Sequence, residues 1–270
     1  MKEYISRIIA LLFLMIIPIG CYADVVKLQR AVPYGVLSLV FKIQYNNEAG
    51  SCFIIDVDNR QYIITARHIL PKAKKGDKIS IYAGGEWNDF VIEPIYPKDN
   101  NIDIVALVAD KLITQKMSIK VGAKEMYVGQ DVYFLGFPFG LASQVDDPKA
   151  MLVPFIKKGI LSAIDFRKSA GHVLYIDGHN NPGFSGGPVI FANYDDKEAL
   201  YIAGVISGYR AAPSIVHEAK ERLDTQSFVF RDTNVIHYVN ENTGIVIAHS
   251  IEHIIKEIKE NPIGFPILNK

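Results

Sequence analysis

The sequence predicts an all-β protein. Short runs of β-branched and aromatic residues recur along most of the chain, each bounded by Gly, Asn or Asp turn residues. Apolar residues at helical spacing are confined to two short stretches, Ser214 to Leu223 and Ser250 to Glu260.

The first element is an export signal rather than part of the fold. Lys2 and Arg7 precede an apolar run from Ile8 to Ile19, followed by Gly20-Cys21-Tyr22-Ala23. A basic start, a short apolar centre and small residues at Cys21 and Ala23 predict a signal peptide over residues 1–23, cleaved after Ala23. The run is too short to cross a bilayer comfortably. A buried N-terminal helix is one alternative. Another is lipid attachment at Cys21, although Pro18 stands where such signals usually carry Leu. The mature chain then keeps Cys52 alone on a buried strand, with no intrachain disulfide.

Strands are expected at 36–44, 51–56, 61–66, 79–83, 90–96 and 104–108. A polar junction follows near 110–125, and strands resume near 131–136, 159–164, 172–176, 188–192, 200–207 and 244–249. Asp58-Asn59 between two apolar runs reads as a hairpin turn. Ile251, Ile254, Ile255 and Ile258 predict a C-terminal helix over 250–260, with Ser250 as its N-cap. The chain of 270 residues suffices for one large β domain, and its net charge of +0 excludes the electrostatic footprint of a nucleic-acid binder. Lys72, Lys74, Lys75 and Lys78 surround a Gly76-Asp77 turn and read as a solvated loop.

Chemistry concentrates in Asn181-Pro182-Gly183-Phe184-Ser185-Gly186-Gly187-Pro188. A serine among glycines suits a nucleophile, because small neighbours let a carbonyl approach and let the Gly183 and Ser185 amides converge on an oxyanion. A plain glycine-rich turn before a strand is the competing reading. His68 closes Thr65-Ala66-Arg67-His68 after a strand, and Asp103 opens the buried run Ile104 to Val108. An acid at the mouth of a buried strand needs a partner, and an imidazole N–H suits it.

The order His, Asp, Ser with these local words resembles the chymotrypsin-fold serine proteases, and most closely the bacterial HtrA (Deg-type) group. Asp103-Ile104-Val105-Ala106-Leu107, Gly136-Phe137-Pro138-Phe139-Gly140-Leu141, Gly159-Ile160-Leu161-Ser162-Ala163 and Gly204-Val205-Ile206-Ser207-Gly208 carry the resemblance together with the serine turn. It implies two antiparallel six-stranded β-barrels, the first about 31–115 and the second about 125–250, within a protease domain spanning 24–270. It implies a catalytic triad of His68, Asp103 and Ser185, an oxyanion hole at Gly183 and Ser185, and Ser207 bonded to the buried aspartate. Ile206, Ser207, Gly208, Ile245 and Ile247 would line the substrate pocket. No acid stands six residues before Ser185, where His179 is found, so a preference for small or medium apolar side chains is expected over Lys or Arg.

The expected protein is thus an exported serine endopeptidase, periplasmic or secreted, acting on proteins or peptides without cofactor or metal. It would touch a membrane only if lipidated at Cys21. Departures from the family pattern matter. Phe184 replaces a small polar or acidic residue before the serine, which excludes activation by pairing with a freshly cut N-terminus. No PDZ domain is expected after Ile258. Insertions at Ala142–Phe155 and Tyr209–Asn242 are expected to control access, the second through a helix-like stretch from Ser214 to Leu223. Two alternatives remain: a catalytically weak protease-fold protein that binds peptides, and a metallopeptidase on the H-x-x-E-H word His249 to His253. The second is weakened because the two imidazoles would not share a helical face.

Overall fold

The computed structural model describes residues 32–116, 119–143, 152–167, 172–193, 199–216, 219–222, 228–230 and 237–267. Both barrels lie within one compact unit, residues 35–270. The expected signal peptide, with Cys21, lies outside the described residues.

The fold is two closed antiparallel barrels joined by residues 110–119. In the first, β1 (Val40–Tyr45), β2 (Glu48–Val57), β3 (Arg60–Thr65), β4 (Lys78–Ala83), β5 (Glu86–Ile95) and β6 (Val105–Ala109) run in the order β3-β2-β1-β4-β5-β6, and β3–β6 pairing closes the ring. The second comprises β8 (Asp131–Gly136), β9 (Phe155–Asp165), β10 (Val173–Asp177), β11 (Pro188–Ala192), β12 (Leu200–Val216) and β15 (His237–Ser250). Their order is β11-β8-β9-β10-β15-β12, closed by β11–β12. Closure removes the exposed sheet edges that an open sheet of this length would carry. Two short strands decorate the rings. β7 (Lys120–Val121) runs parallel to β12, and β16 (Phe265–Pro266) adds to β3.

Each barrel has its own core. Ile43, Ile54, Ile63, Ile81, Val105 and Leu107 fill the first, and Val132, Phe134, Leu161, Phe184, Ile206 and Val246 fill the second. Burying each such side chain contributes about 1.5–3 kcal/mol. The C-terminal helix α2 (Glu252–Glu260) buries Ile254 and Ile258. Ile251 already has helical angles, and Ser250 Oγ accepts from the Glu252 amide at a long 3.4 Å, the contact expected of an N-cap.

Two expectations are corrected. Residues 36–39 are not strand: Tyr34–Leu37 form a single helical turn, α1, held by Ser38 Oγ donating to Gly35 O at 3.0 Å. Within the helix-like stretch from Ser214, residues 214–216 and 219–222 are strand. β12 and β15 run past the barrel as a two-stranded ribbon with Ser214 opposite Val239 and Val216 opposite His237, while Ala219–Arg222 (β13) pairs with Phe228–Phe230 (β14). Cross-strand hydrogen bonding overrides an apolar spacing that reads either way over so few residues; Leu223 lies outside the described residues. In the other insertion Ser143 and Val153 form an isolated bridge, and residues 144–151 lie outside the described residues.

Candidate active site

The two barrels bring His68, Asp103, Ser185 and Ser207 together. His68 sits in a single 3-10 turn, Arg67–Ile69, directly after β3. Buried Ile69 and Leu70 pin that turn, and Tyr96 donates its hydroxyl to Leu70 O at 2.8 Å. Asp103 lies between buried Ile102 and Ile104 just before β6, the strand that closes on β3, so ring closure sets the acid beside the imidazole.

Asp103 accepts three bonds. Its Oδ1 takes the His68 backbone N–H at 2.8 Å, and its Oδ2 meets His68 Nδ1 at 2.7 Å and the Ser207 hydroxyl at 2.5 Å. Burial would raise the Asp103 pKa, but the bonds from His68 and Ser207 outweigh it and hold the carboxyl below its ordinary range. The same hydrogen bond raises the His68 imidazole above its ordinary value, with burial opposing. With Nδ1 committed to the carboxylate, Nε2 is the nitrogen left to exchange a proton. Ser185 Oγ donates to Ser207 O at 3.4 Å, which links the serine to the same group of residues.

The turn carrying Ser185 is held through its carbonyls. His179 O accepts from Lys157 Nζ, and Asn180 O accepts from Asn242 Nδ2 at 2.6 Å. Asn181 O takes the Phe184 amide, Pro182 O the Phe139 amide, Phe184 O the Gly187 amide and Ser185 O the Ser51 amide. Gly183 O accepts from Ser51 Oγ at 2.7 Å. Every carbonyl from His179 to Ser185 is therefore engaged, which fixes the orientation of each peptide plane. No described residue accepts from the Gly183 or Ser185 amide. Two glycines are required by geometry. Gly183 has φ 102° and a Cβ there would lie 2.3 Å from Phe137 O; Gly186 has φ 82° and its Cβ would lie 2.1 Å from Ser51 O.

Phe184 does not disrupt this turn. It is fully buried in the second core, edge-on to Phe134 at a centroid distance of 5.2 Å. Of the expected pocket residues, Ser207 and Gly208 are half-buried on β12, at a bulge between Ile206 and Gly208. Ile247 is half-buried and Ile245 exposed on β15, while Ile206 is fully buried and packs its side chain into the second core. His179 is exposed. His249 is buried on β15, whereas His253 lies on α2 with its ring against His172 at 5.6 Å. Among the described residues no group of three or more His, Cys, Asp or Glu is placed to hold a metal ion.

Three residues of the site carry no local sequence signal. Ser51 is one of several polar residues of β2, Lys157 one of two adjacent lysines, and Asn242 part of an insertion. Only their contacts with the serine turn distinguish them.

Comparison with known proteins places the whole. The solved structure of the Rv3671c protease from M. tuberculosis in its active form is 15% identical, with a TM-score of 0.52 over 86% of this chain and 85% of that one. The HtrA-type protease AlgW with a tripeptide is 17% identical, with a TM-score of 0.51 over 84% of this chain and 61% of that one. At such identities these likenesses establish the fold. No curated protein matches the chain in sequence. The family model described as trypsin-like peptidase domain matches residues 50–197, more than half of the chain and including His68, Asp103 and Ser185. The chain belongs to the trypsin-like peptidase domain family of serine endopeptidases.

Proposed function

We propose that this protein is an exported endopeptidase that cleaves peptide bonds through an acyl-enzyme on Ser185. His68 takes the serine proton through Nε2 and returns it to the leaving amine, while Asp103 holds the imidazole and stabilises its charge. The Gly183 and Ser185 amides receive the oxyanion. The observation that carries this reading is the conjunction of the His68–Asp103–Ser207 bonds with a serine turn whose carbonyls from His179 to Ser185 are all engaged. Before reaction Ser185 Oγ must exchange Ser207 O for the imidazole, which a bound substrate can promote. That resting contact is also what favours the second reading, a peptide-binding protein with little turnover.

Half-buried Ser207, Gly208 and Ile247, with no acid at the His179 position, support cleavage after small or medium apolar residues. Export rests on the signal-like residues 1–23, with Cys21 lipidation as the alternative. The test is fluorophosphonate labelling of the mature protein with mapping of the modified residue, alongside hydrolysis of a peptide library. Labelling at Ser185 with turnover supports the enzyme, and a folded protein that binds peptides but resists labelling supports the second reading. Cell fractionation and N-terminal sequencing test export: a mature chain beginning at Asp24 is expected.

A further inference from the structure

Strand β9 carries two adjacent lysines with opposite fates. Lys158 points outward and pairs with Asp131 at 2.8 Å. Lys157 points inward, where burial lowers its pKa. Its ammonium donates to His179 O, donates to Asn181 Oδ1 at 2.6 Å, and stands over the Phe184 ring at 5.3 Å from the centroid. Among the described residues no carboxylate pairs with it. Each of these partners is neutral, and each belongs to the segment 179–184 that leads into Ser185.

We infer that Lys157 is a positioning residue that locks the oxyanion turn in its competent form, with the Phe184 ring as part of its seat. The inference rests on the catalytic reading of Ser185. A partly desolvated ammonium without a counter-ion is held only by the polar groups around it, so it is stable here while the His179 carbonyl, the Asn181 amide and the Phe184 ring face keep this arrangement. Rotating the turn would take these partners away together. The cation therefore favours one setting of the peptide planes that aim the Gly183 and Ser185 amides. Phe184, which stands where a small polar or acidic residue is expected before the serine, at the same time supplies a ring face that a cation can use. The turn is in this way held from within the mature chain, with no need of a new N-terminus.

The test uses the mature protein with the substitutions Lys157→Met, Asn181→Ala and both together, and Lys158→Met as control. An oxyanion contact acts only in the transition state, and loss of one such donor costs about 10²–10³-fold in kcat. Loosening the turn should cost less, about 10–100-fold in kcat, with KM nearly unchanged. Fluorophosphonate labelling of Ser185 should slow in parallel. The melting temperature should hold, because Met keeps apolar contact with Phe184 and removes a desolvated charge. The double variant should lose little more than Lys157→Met alone, since the Asn181 side chain acts through the Lys157 ammonium. Lys158→Met should match the parent. Parental kcat in Lys157→Met, or a loss that tracks a lowered melting temperature, would overturn the inference, as would full additivity of the two substitutions. A parent that is neither labelled at Ser185 nor active would instead refute the catalytic reading itself.

Discussion

Ser51 offers a direct measure of how the two barrels hold the catalytic turn. Its hydroxyl donates to Gly183 O at 2.7 Å and accepts from the Phe137 amide at 3.0 Å, while its own amide bonds Ser185 O at 2.8 Å. Ser51 is fully buried and Phe137 nearly so. Ser51→Ala keeps the backbone bond and removes both side-chain bonds. Each removed bond leaves one group without its partner, the Gly183 C=O or the Phe137 N–H, at a cost of about 1–3 kcal/mol apiece. The expected loss is therefore about 2–6 kcal/mol. At about 2–4 °C per kcal/mol for a domain of this size, the melting temperature should fall by roughly 4–24 °C. If about 1.4 kcal/mol of this falls on the local setting of the turn, the competent fraction and kcat/KM drop about tenfold. Thermal melts and peptide hydrolysis below the transition measure the two effects. Ser162→Ala, which removes only an exposed bond to Ile160 O, is the control. A Ser51→Ala protein that melts within about a degree of the parent and hydrolyses equally fast would show that these bonds do not secure the turn.

Further outcomes follow from the same geometry. Ser185→Ala should abolish proteolysis, by about 10⁴-fold or more, with an unchanged far-ultraviolet spectrum; near-parental activity would contradict the nucleophile. Because the base works as neutral imidazole, kcat/KM should rise with pH through the elevated His68 pKa. Asp103→Asn removes the bond that raises it, so the acid limb should move to lower pH while the rate falls about 10⁴-fold. An acid limb that stays in place would detach Asp103 from His68. Peptide libraries should show cleavage after small or medium apolar residues, and dominant cleavage after Lys or Arg would refute the pocket reading. Replacing the ribbon from 212 to 239 by a short turn, with Asn242 and its bond to Asn180 O kept, should change turnover or peptide preference but leave the barrels folded. Identical kinetics over a range of peptides would make the ribbon decoration.

The alternation of apolar runs and turn residues was enough to predict strands through both halves. The words around His68, Asp103 and Ser185 singled out residues that the fold brings together. These signals are local: a buried strand must be apolar, and a catalytic serine needs glycines beside it, whatever the rest of the chain does. The ribbon shows where local signals fail. Ile215 and its neighbours satisfy a helical spacing, yet Ser214 to Val216 pair with 237–239, and only that pairing decides between the two periods.

Long-range partners were equally invisible. Ser51 meets Gly183 across 132 positions of sequence, and Asn242 meets Asn180 across 62. Lys157 and Lys158 look alike in the sequence until β9 turns one toward the serine turn and the other toward Asp131. The chain by itself determined most of the strands and which residues carry reactive groups. The tertiary structure decided which polar side chains hold those groups in place, because a buried hydrogen bond depends on where two distant segments meet and leaves no pattern in either one.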